Sequence, residues 1–354
     1  MGGVRIMKIA VIAGGLSPER DVSLSSGCLV ANALRQAGHH VLLVDAYEGI
    51  TQNNSDLESL FEDNSGKPYS YIIPKEAPDL SEIMKRNNNH QALIGPNVLD
   101  ICRIADVVFI ALHGAMGENG QLQATFDVMG IKYTGTGYAG SLLAMDKDLT
   151  KKLLRQSELP TAEWVVIQGD ALSEPISDPK LEKIGLPCVV KPCSAGSSVG
   201  VSIVHTKEEL RVAINAAQKV ESNILIEKMV PGREFSVGVL DGKSLPVIEI
   251  IPKKGFYDYT NKYQAGFTEE VCPADLSESD TKRLQNLAVE VHKTLRLGSY
   301  ARIDFILGTD GEFVCLEANT LPGMTPTSLL PQEALAAGIN YIELCNKIVN
   351  MALE

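Results

Sequence analysis

Near the start of the chain, a buried strand, a glycine turn, a helix and a second buried strand follow one another. The strands are KIAVIAGG, residues 8–15, and HVLLVD, residues 40–45, and a helical pattern spans residues 21–37 between them. Two strands joined through a helix lie parallel in one sheet, because the crossover has to return to the same edge. ADVVFIALHG, residues 105–114, continues the pattern. The first part of the chain is therefore predicted to be a parallel α/β domain.

The pattern changes near Tyr133, where TGTGYAG is typical of a linker. Strands are predicted after it over residues 164–167, 186–192, 200–204, 224–230, 234–239 and 246–251, and helices over residues 142–156, 208–219 and 278–295. These segments have the length and apolar character of strands and helices that build a compact core. The predicted domains are residues 1–135, 136–227 and 228–354.

The composition narrows the function classes. The chain has 354 residues, of which 45% are hydrophobic and 21% charged, a balance typical of a globular protein, and its formal net charge is −12. It has no long Lys/Arg cluster, so nucleic-acid binding is not expected. No apolar run reaches the roughly 18 residues of a membrane span, and the amino terminus lacks a secretory signal, so a cytoplasmic location is expected. Seven cysteines without a CxxC pair argue against disulfides and a structural zinc site.

The segment ARIDFILGTDGEFVCLEANT, residues 301–320, is predicted to be a β-hairpin around the turn GTDG. Alternate residues of a strand share a face, so one face of this hairpin is apolar. The other face carries four polar side chains, which are Arg302, Asp304, Glu317 and Asn319. If Gly308 pairs with Phe313, then Asp304 lies opposite Glu317.

By the same register, Arg302 lies opposite Asn319. The like charges of Asp304 and Glu317 repel each other across the two strands, and burial increases the cost. A hard divalent cation removes this conflict, and two carboxylates with an amide oxygen suit Mg²⁺ that bridges phosphates. The alternative interpretation is a solvent-exposed sheet face held by a salt bridge.

Three glycine-rich segments are candidate ligand loops. Lys191 ends a predicted strand and precedes CSAGSSVG, whose small residues let backbone N–H groups approach phosphate oxygens. GGLSPERDVSLSS, residues 14–26, places Ser17 and Glu19 at the carboxyl edge of the parallel sheet, where α/β sites form. His113, in HGAMGENG, follows another strand to the same edge. The alternatives are an ordinary hairpin turn, a helix cap and a structural histidine, respectively.

The aromatic stretch FYDYTNKY, residues 256–263, is too irregular for a core strand. It predicts an ordered lid, with a plain surface loop as the alternative, and Lys262 and Tyr263 stand at its end. No GxGxxG follows the first strand. A dinucleotide-dependent oxidoreductase is therefore not supported.

The order of these motifs resembles that of the bacterial D-alanine–D-alanine ligases of the ATP-grasp superfamily. GGxSxE, HGxxGExG, MDK, the strand lysine with its GSSVG loop, IEK, FYDYxxKY, RxD and ExNTxPGMTxxS follow one another from about Lys8 to the carboxyl terminus. The resemblance implies a parallel α/β domain followed by a two-domain ATP-grasp fold of α+β character. It also implies ATP, two Mg²⁺ ions that Mn²⁺ can replace, D-alanine as the substrate, and a homodimer.

The resemblance implies roles for individual residues. The ATP-binding residues would be Lys147, Lys191, Ser197, Ser198, Glu227, Lys228, Val230, Glu234 and Lys262. The substrate-binding residues would be Glu19, His113, Lys262, Arg302 and Ser328. The catalytic residues would be Glu19, Ser197, Tyr263, Arg302 and Gly323. The metal ligands would be Asp304, Glu317 and Asn319.

In this family ATP phosphorylates the carboxylate of a first D-alanine, and the amine of a second displaces phosphate, for peptidoglycan precursor synthesis. Tyr263 in the lid favours an amine, since D-lactate-using relatives depart from the KY pattern there. D-Ala–D-Ser, D-Ala–D-Lac and other carboxylate–amine ligases remain alternatives, as does a non-catalytic regulator, which would usually have lost a metal ligand or Arg302. Ala195 in the phosphate loop and Asn119, where Asp is usual, depart from the family pattern, but neither is among the residues given catalytic roles.

Overall fold

The computed structural model of the chain describes residues 5–51, 56–62, 67–74, 76–168, 179–196, 198–253 and 268–354. Within these ranges, three β-sheets and the helices packed against them make up the fold. None of the helices in these ranges is long and apolar enough to cross a membrane.

The first sheet is parallel, which confirms the prediction from the sequence. Its elements are β1 (Lys8–Ala13), α1 (Arg20–Gln36), β2 (His40–Asp45), a 3₁₀ helix (Glu58–Phe61), α2 (Leu80–Arg86), α3 (Val98–Ile104), β3 (Val107–Ile110), α4 (Ala115–Glu118) and α5 (Gln121–Met129). β1 lies between β2 and β3 and is parallel to both. Every residue of β1 after the first is buried, as a central parallel strand covered on both faces requires. The loops after β1 and β3 therefore meet at one edge of the sheet.

The second sheet is antiparallel, with strand order β4-β7-β5-β6. Its elements are α6 (Tyr138–Met145), α7 (Lys147–Gln156), β4 (Trp164–Gln168), α8 (Pro179–Ile184), β5 (Cys188–Pro192), β6 (Ser202–Val204), α9 (Lys207–Gln218) and β7 (Asn223–Lys228). Val190, Ile214 and Ile226 are among the buried side chains between the sheet and α9. This core fixes the end of β5, which carries Lys191.

The single helix predicted over residues 142–156 is wrong, because the chain forms α6 and α7 with a break at Asp146. Asp146 has an extended backbone, with ψ of 103°, and its side chain accepts hydrogen bonds from the N–H groups of Asp148 and Leu149. An aspartate whose side chain accepts hydrogen bonds from the backbone N–H groups of the first turn caps the start of a new helix. Lys147 is consequently the first residue of α7.

The third sheet is also antiparallel, in the order β11-β10-β8-β12-β13, with β9 paired to β8. Its elements are β8 (Gly232–Leu240), β9 (Lys243–Ser244), β10 (Ile248–Pro252), β11 (Thr268–Val271), α10 (Glu278–Thr294), β12 (Tyr300–Gly308), β13 (Phe313–Asn319), α11 (Leu329–Ala336) and α12 (Tyr341–Met351). Phe235, Ile303 and Phe305 pack with Leu284 and Val291 of α10 in one buried cluster. The apolar face of the predicted hairpin is thus covered by α10.

The last helix, α12, packs against the first sheet. Ile348 and Val349 belong to the same buried cluster as Ile9, and His39 shares a 2.8 Å hydrogen bond with Asn346. Each predicted domain range holds one sheet, apart from the last residue of β7, but this helix joins the first sheet from the third range. The domain boundaries stay a prediction.

Candidate active site

A cavity of about 530 Å³ lies between the carboxyl edge of the first sheet and the hairpin of the third sheet. Its lining includes eight residues predicted from the sequence, which are Glu19, His113, Lys147, Arg302, Glu317, Asn319, Gly323 and Ser328. They come from loops after β1 and β3, from α7, from β12 and β13, and from the segment that precedes α11. Residues that are more than 300 positions apart in the chain therefore line one space.

The hairpin has the predicted register at the polar face. Arg302 pairs with Asn319, and Asp304 pairs with Glu317. The assumed pairing at the turn is wrong, because Phe313 pairs with Leu307 and a β-bulge follows Asp304. At the bulge, β13 has one extra residue between the turn and the polar face, and this residue has no partner on β12.

Asp304 is the most constrained carboxylate of the hairpin. It is buried, and Arg302 donates to both of its oxygens, at 2.9 and 2.8 Å. Ser236 Oγ donates at 2.7 Å and Asn319 Nδ2 at 2.9 Å. The salt bridge of the alternative interpretation is therefore present, but on a buried carboxylate and not on a solvent-exposed face.

The predicted metal ligands have the donor chemistry that Mg²⁺ prefers. Asp304, Glu317 and Asn319 offer two carboxylates and an amide oxygen on neighbouring strands. Lys147 Nζ lies 3.8 Å from Glu317, so the second carboxylate also has a cation beside it. In the described ranges, no three His, Cys, Asp or Glu side chains gather as a metal cluster. The fit depends on the amide of Asn319 as the third ligand, and the role stays a prediction.

At the edge of the first sheet, the backbone of Gly114 lies close to the carboxylate of Glu19. Gly114 has φ of +80°, and a Cβ added to it would lie 2.3 Å from Glu19 Oε2. Ser17 Oγ donates to the carbonyl of His113 at 3.1 Å, which ties the loop after β1 to the loop after β3. A side chain at position 114 would displace the buried carboxylate, so glycine is required there.

The same loop carries Glu118, which the sequence analysis did not select. Its Oε2 accepts a 2.8 Å hydrogen bond from the N–H of Gly114 and it lines the cavity. Burial, together with the charge of Glu19, raises the pKa of the Glu118 carboxyl to about 8. Its place in HGAMGENG, directly after a buried strand, is the signal that could have identified it.

His113 is neutral at physiological pH. Burial lowers the pKa of its imidazole to about 4, assisted by the positive charge of Arg302, although a backbone hydrogen bond at Leu321 acts in the opposite direction. Its buried Nε2 has no hydrogen-bond partner among the described residues. An unsatisfied polar atom at the wall of a cavity is available to a ligand.

The lysines predicted to contact phosphates lie around the loop after β5. Lys147 Nζ donates to the carbonyl of Ala195 at 2.8 Å, and the Lys147 N–H donates to the carbonyl of Cys193 at 3.0 Å. Gly196 of this loop lines the cavity, and Ser198 has φ of +59°. The loop is therefore fastened to the first turn of α7.

Lys191 and Lys151 share one buried carboxylate. Lys191 Nζ lies 2.5 Å and Lys151 Nζ 2.7 Å from the oxygens of Glu227. Burial acts to raise the pKa of Glu227, but the two lysines outweigh it and lower the pKa to about 2. Burial lowers the pKa of the Lys151 ammonium. Burial acts in the same direction on Lys191, but the charge of Glu227 outweighs it and raises that pKa. No role for Lys151 was predicted.

A second cavity, of about 370 Å³, lies where β7 leads into β8. Four residues predicted to bind ATP line it, which are Glu227, Lys228, Val230 and Glu234. Val189, Ile306 and Leu316 add apolar walls. Apolar walls with a few polar groups suit a flat heterocyclic base.

Two family models match the chain. One is described as the D-ala D-ala ligase N-terminus and matches residues 8–136, and the other as the D-ala D-ala ligase C-terminus and matches residues 153–350. The chain belongs to the D-alanine–D-alanine ligase family.

Relatives of this ligase family match nearly the whole chain. The D-alanine–D-alanine ligase of Pediococcus pentosaceus is 41% identical over 350 residues, covering 97% of both chains. That of Halalkalibacterium halodurans is 38% identical and covers 98% of this chain and 100% of its own. The crystal structure of the Bacillus anthracis ligase complexed with ATP has a TM-score of 0.75 and 29% identity, covering 98% and 97%. The expected mixed fold, one parallel α/β part and an ATP-grasp part, is confirmed.

Most residues predicted for the ligase site are placed by the structure, and a few lie outside it. Ser197, Lys262 and Tyr263 are outside the described residues. Glu118 and Glu270 line the main cavity but were not predicted. The family motifs contain Glu118, whereas Glu270 stands in no motif that the sequence analysis used.

Proposed function

We propose that this chain is an ADP-forming ligase that joins two D-alanine molecules into D-alanyl-D-alanine for peptidoglycan precursor synthesis, through a D-alanyl phosphate. The observation that carries the proposal is the main cavity, which Glu19 and His113 approach from the first sheet and Arg302 and Ser328 from the third. Family membership supports the same activity over the full length of the chain.

ATP would lie with its adenine in the second cavity, against Glu227, Lys228 and Val230, and its ribose near Glu234. Lys147 and Lys191 would contact the phosphates under the loop that contains Ser198, with Ser197 as a further contact. The relative whose structure was solved with ATP supports nucleotide binding at this fold. Asp304, Glu317 and Asn319 would hold Mg²⁺, or Mn²⁺ in its place, which would neutralise charge on the phosphate oxygens.

The first D-alanine would bind at the edge of the first sheet. Glu19 would hold its ammonium group, and the neutral imidazole of His113 would lie beside its carboxylate. A neutral partner orients the carboxylate without the strong charge pairing that would weaken it as a nucleophile. The guanidinium of Arg302 and the N–H of Gly323 would stabilise the oxyanion of the tetrahedral intermediate.

The second D-alanine would bind next to this oxyanion site. A Cβ added to Gly323 would lie 2.7 Å from Ser328 Oγ, so the hydroxyl and the Gly323 backbone are neighbours. Ser328 and Lys262 would take the carboxylate of the second substrate. Tyr263 would close the lid toward Ser197 and Glu19, which keeps water from the acyl phosphate. D-serine and D-lactate are the competing second substrates.

The test is phosphate release from ATP and Mg²⁺ with D-alanine, with L-alanine, with D-alanine plus D-serine and with D-alanine plus D-lactate, each product identified by mass. Release with D-alanine alone, giving the dipeptide, is the expected result. Release only with a second compound present would move the specificity to a D-Ser or D-Lac ligase. Bound ATP without release in any mixture would contradict ligase activity and favour a regulator.

The proposal includes a cytoplasmic homodimer, as the family resemblance implies. Light scattering on the protein eluted from a size-exclusion column would measure its molar mass. A molar mass equal to that of one chain across the working concentration range would contradict the dimer. A thermal-shift comparison of ATP with Mg²⁺ against NAD(P) would check the nucleotide class, since only a bound ligand stabilises the fold.

A further inference from the structure

Glu270, in β11, is a cavity carboxyl held in a fixed position. Its Oε2 accepts a 2.5 Å hydrogen bond from Gln332 Nε2, and the same nitrogen donates to the carbonyl of Thr327 at 2.8 Å. Gln332 stands in the first turn of α11, four residues after Ser328. One amide group therefore joins the Glu270 carboxyl to the segment proposed to bind the second substrate.

The electrostatic surroundings make Glu270 a better proton acceptor than an exposed carboxylate. Burial raises the pKa of its carboxyl, while the Gln332 hydrogen bond and the charge of Arg302 oppose the shift. Among the described residues, Arg302 of β12 contributes its charge and Gln332 of α11 its hydrogen bond at this carboxyl. A raised pKa brings a general base nearer to the pH at which it works.

The proposed reaction needs such a group. A free amino acid arrives with a protonated ammonium group, which has no lone pair and cannot attack a carbonyl carbon. The groups proposed for the second carboxylate, Ser328 and Lys262, are a hydroxyl and a cation, and neither is a good proton acceptor at neutral pH. The second nitrogen needs a separate base.

Four carboxyls among the described residues line the cavity, and three belong to other parts of the proposed site. Glu19 is proposed to hold the first ammonium, Glu118 accepts from Gly114 in the same loop region, and Glu317 is a proposed metal ligand. Glu270 is the remaining one, and Gln332 ties it to the segment of Ser328.

We propose that Glu270 receives the ammonium group of the second D-alanine and takes the proton that its nitrogen must lose before it attacks. This inference rests on the proposed function. One N–H bond breaks and its electron pair stays on nitrogen, while the proton joins a Glu270 oxygen. The nitrogen then bonds to the carbonyl carbon of the acyl phosphate, the carbon–oxygen bond to phosphate breaks, and the second proton leaves with the phosphate.

The first test is Glu270→Gln, with Glu269→Gln as the matched control. Glu269 is the preceding residue of β11 and is exposed. The expected result is a fall of roughly a hundredfold in kcat/KM for the second D-alanine near neutral pH, with KM for the first unchanged. The deficit shrinks as the pH rises, because the substrate amine then arrives deprotonated. A deficit that is equal at every pH, or an activity equal to that of the control, would overturn the proposal.

Hydroxylamine separates a failure of this inference from a failure of the proposed function. It is neutral near pH 7 and traps an acyl phosphate as the hydroxamate, without a base. Glu270→Gln is expected to form D-alanine hydroxamate at the wild-type rate while dipeptide formation is slow. Loss of both products in the variant would place its effect before the second substrate and overturn the proposal. Wild-type protein that forms neither product would overturn the proposed function itself.

The variant Glu270→Asp guards against a purely structural effect. It keeps a carboxyl on a shorter side chain, so reduced activity with the pH dependence of the wild type is expected. If Glu270→Asp showed the same pH rescue as Glu270→Gln, the carboxyl would not be the proton acceptor.

Discussion

At some positions of this site, the space left by neighbouring side chains restricts which residue the chain can carry. The Gly114 N–H donates a hydrogen bond to Glu118. The carboxylate of Glu19 lies where a side chain at position 114 would begin. The sequence places all three residues in two short motifs, but the contact between the motifs depends on the sheet that brings β1 and β3 together. Local pattern alone could not predict it.

We predict that Gly114→Ala raises KM for the first D-alanine by roughly ten- to a hundredfold, because the new methyl group displaces the Glu19 carboxylate. Gly38→Ala is the control, since Gly38 has φ of +95° and nothing within 4 Å of an added Cβ. Both variants place a Cβ at a positive φ, so each is expected to lower the melting temperature. Initial rates at saturating ATP measure the difference, and equal KM values in the two variants would contradict it.

We predict that Asp304→Asn and Glu317→Gln each lower kcat by about a hundredfold or more, because the proposed metal ion would lose a charged ligand and would neutralise the phosphate charge less well. Asp310→Asn, in the exposed turn of the same hairpin, is expected to leave kcat unchanged. Circular dichroism checks that the fold is retained, and steady-state rates over a range of Mg²⁺ concentrations give the effect. Near-normal turnover in both active-site variants would exclude the metal role.

The residue scale also shows what alternation of polar and apolar side chains can predict. The pattern predicted that Asp304 and Glu317 face each other, and this is confirmed. It did not predict that Arg302 occupies both oxygens of Asp304, because strand periodicity assigns a face but not a side-chain conformation.

At the scale of elements, the break between α6 and α7 determines the position of Lys147, which is proposed to bind ATP. The sequence analysis predicted one helix over residues 142–156 and placed no break at Asp146. The competing signal was the aspartate itself, whose carboxylate satisfies two N–H groups at the start of α7. The new helix begins at Lys147, and its side chain reaches the loop after β5.

We predict that Asp146→Ala removes about 1 kcal/mol of stability and also weakens ATP binding, because the first turn of α7 loses its cap. The control is Thr206→Ala, whose side chain caps α9 by accepting from the Glu209 N–H. It should cost a similar stability without changing KM for ATP. Thermal melts and ATP titrations measure the two effects, and equal KM values for ATP in both variants would disprove the positional role of the cap.

At the scale of the whole molecule, the order of strands in each sheet could not be predicted from the sequence. Most strands were predicted from their own residues, although β9 and β11 were not. Most bounds of the predicted strands agree within about two residues, apart from the third parallel strand. The order β11-β10-β8-β12-β13 depends on pairings between distant segments, which local pattern does not contain. The return of α12 to the first sheet was missed for the same reason.

Stability as a function of pH reports the buried carboxyl of Glu118. Its pKa in the folded protein, about 8, lies above the ordinary value of 4.5, so the folded state binds the proton more tightly than the unfolded chain does. This contribution is complete below about pH 4.5 and is lost as the pH rises toward 8. We predict that Glu118→Gln, which has no such proton, gains stability relative to the wild type by up to about 1.4 kcal/mol per pH unit across this window.

Melting temperatures without ATP or metal, recorded from about pH 5 to about pH 8, measure this difference. Glu269→Gln serves as the control, because its side chain is exposed. Parallel curves for wild type and Glu118→Gln would show that Glu118 titrates normally.

The β-bulge after Asp304 separates the two ends of the hairpin. Between the turn and the bulge the strands pair in one register, and beyond the bulge they pair in another, shifted by one residue. The turn and the polar face can therefore change independently over evolutionary time. A lineage that gains or loses a residue near Gly308 can compensate by losing or forming a bulge, and Asp304 still faces Glu317. Turn length in this hairpin is thus a poor guide to whether a homologous chain has kept its chemistry.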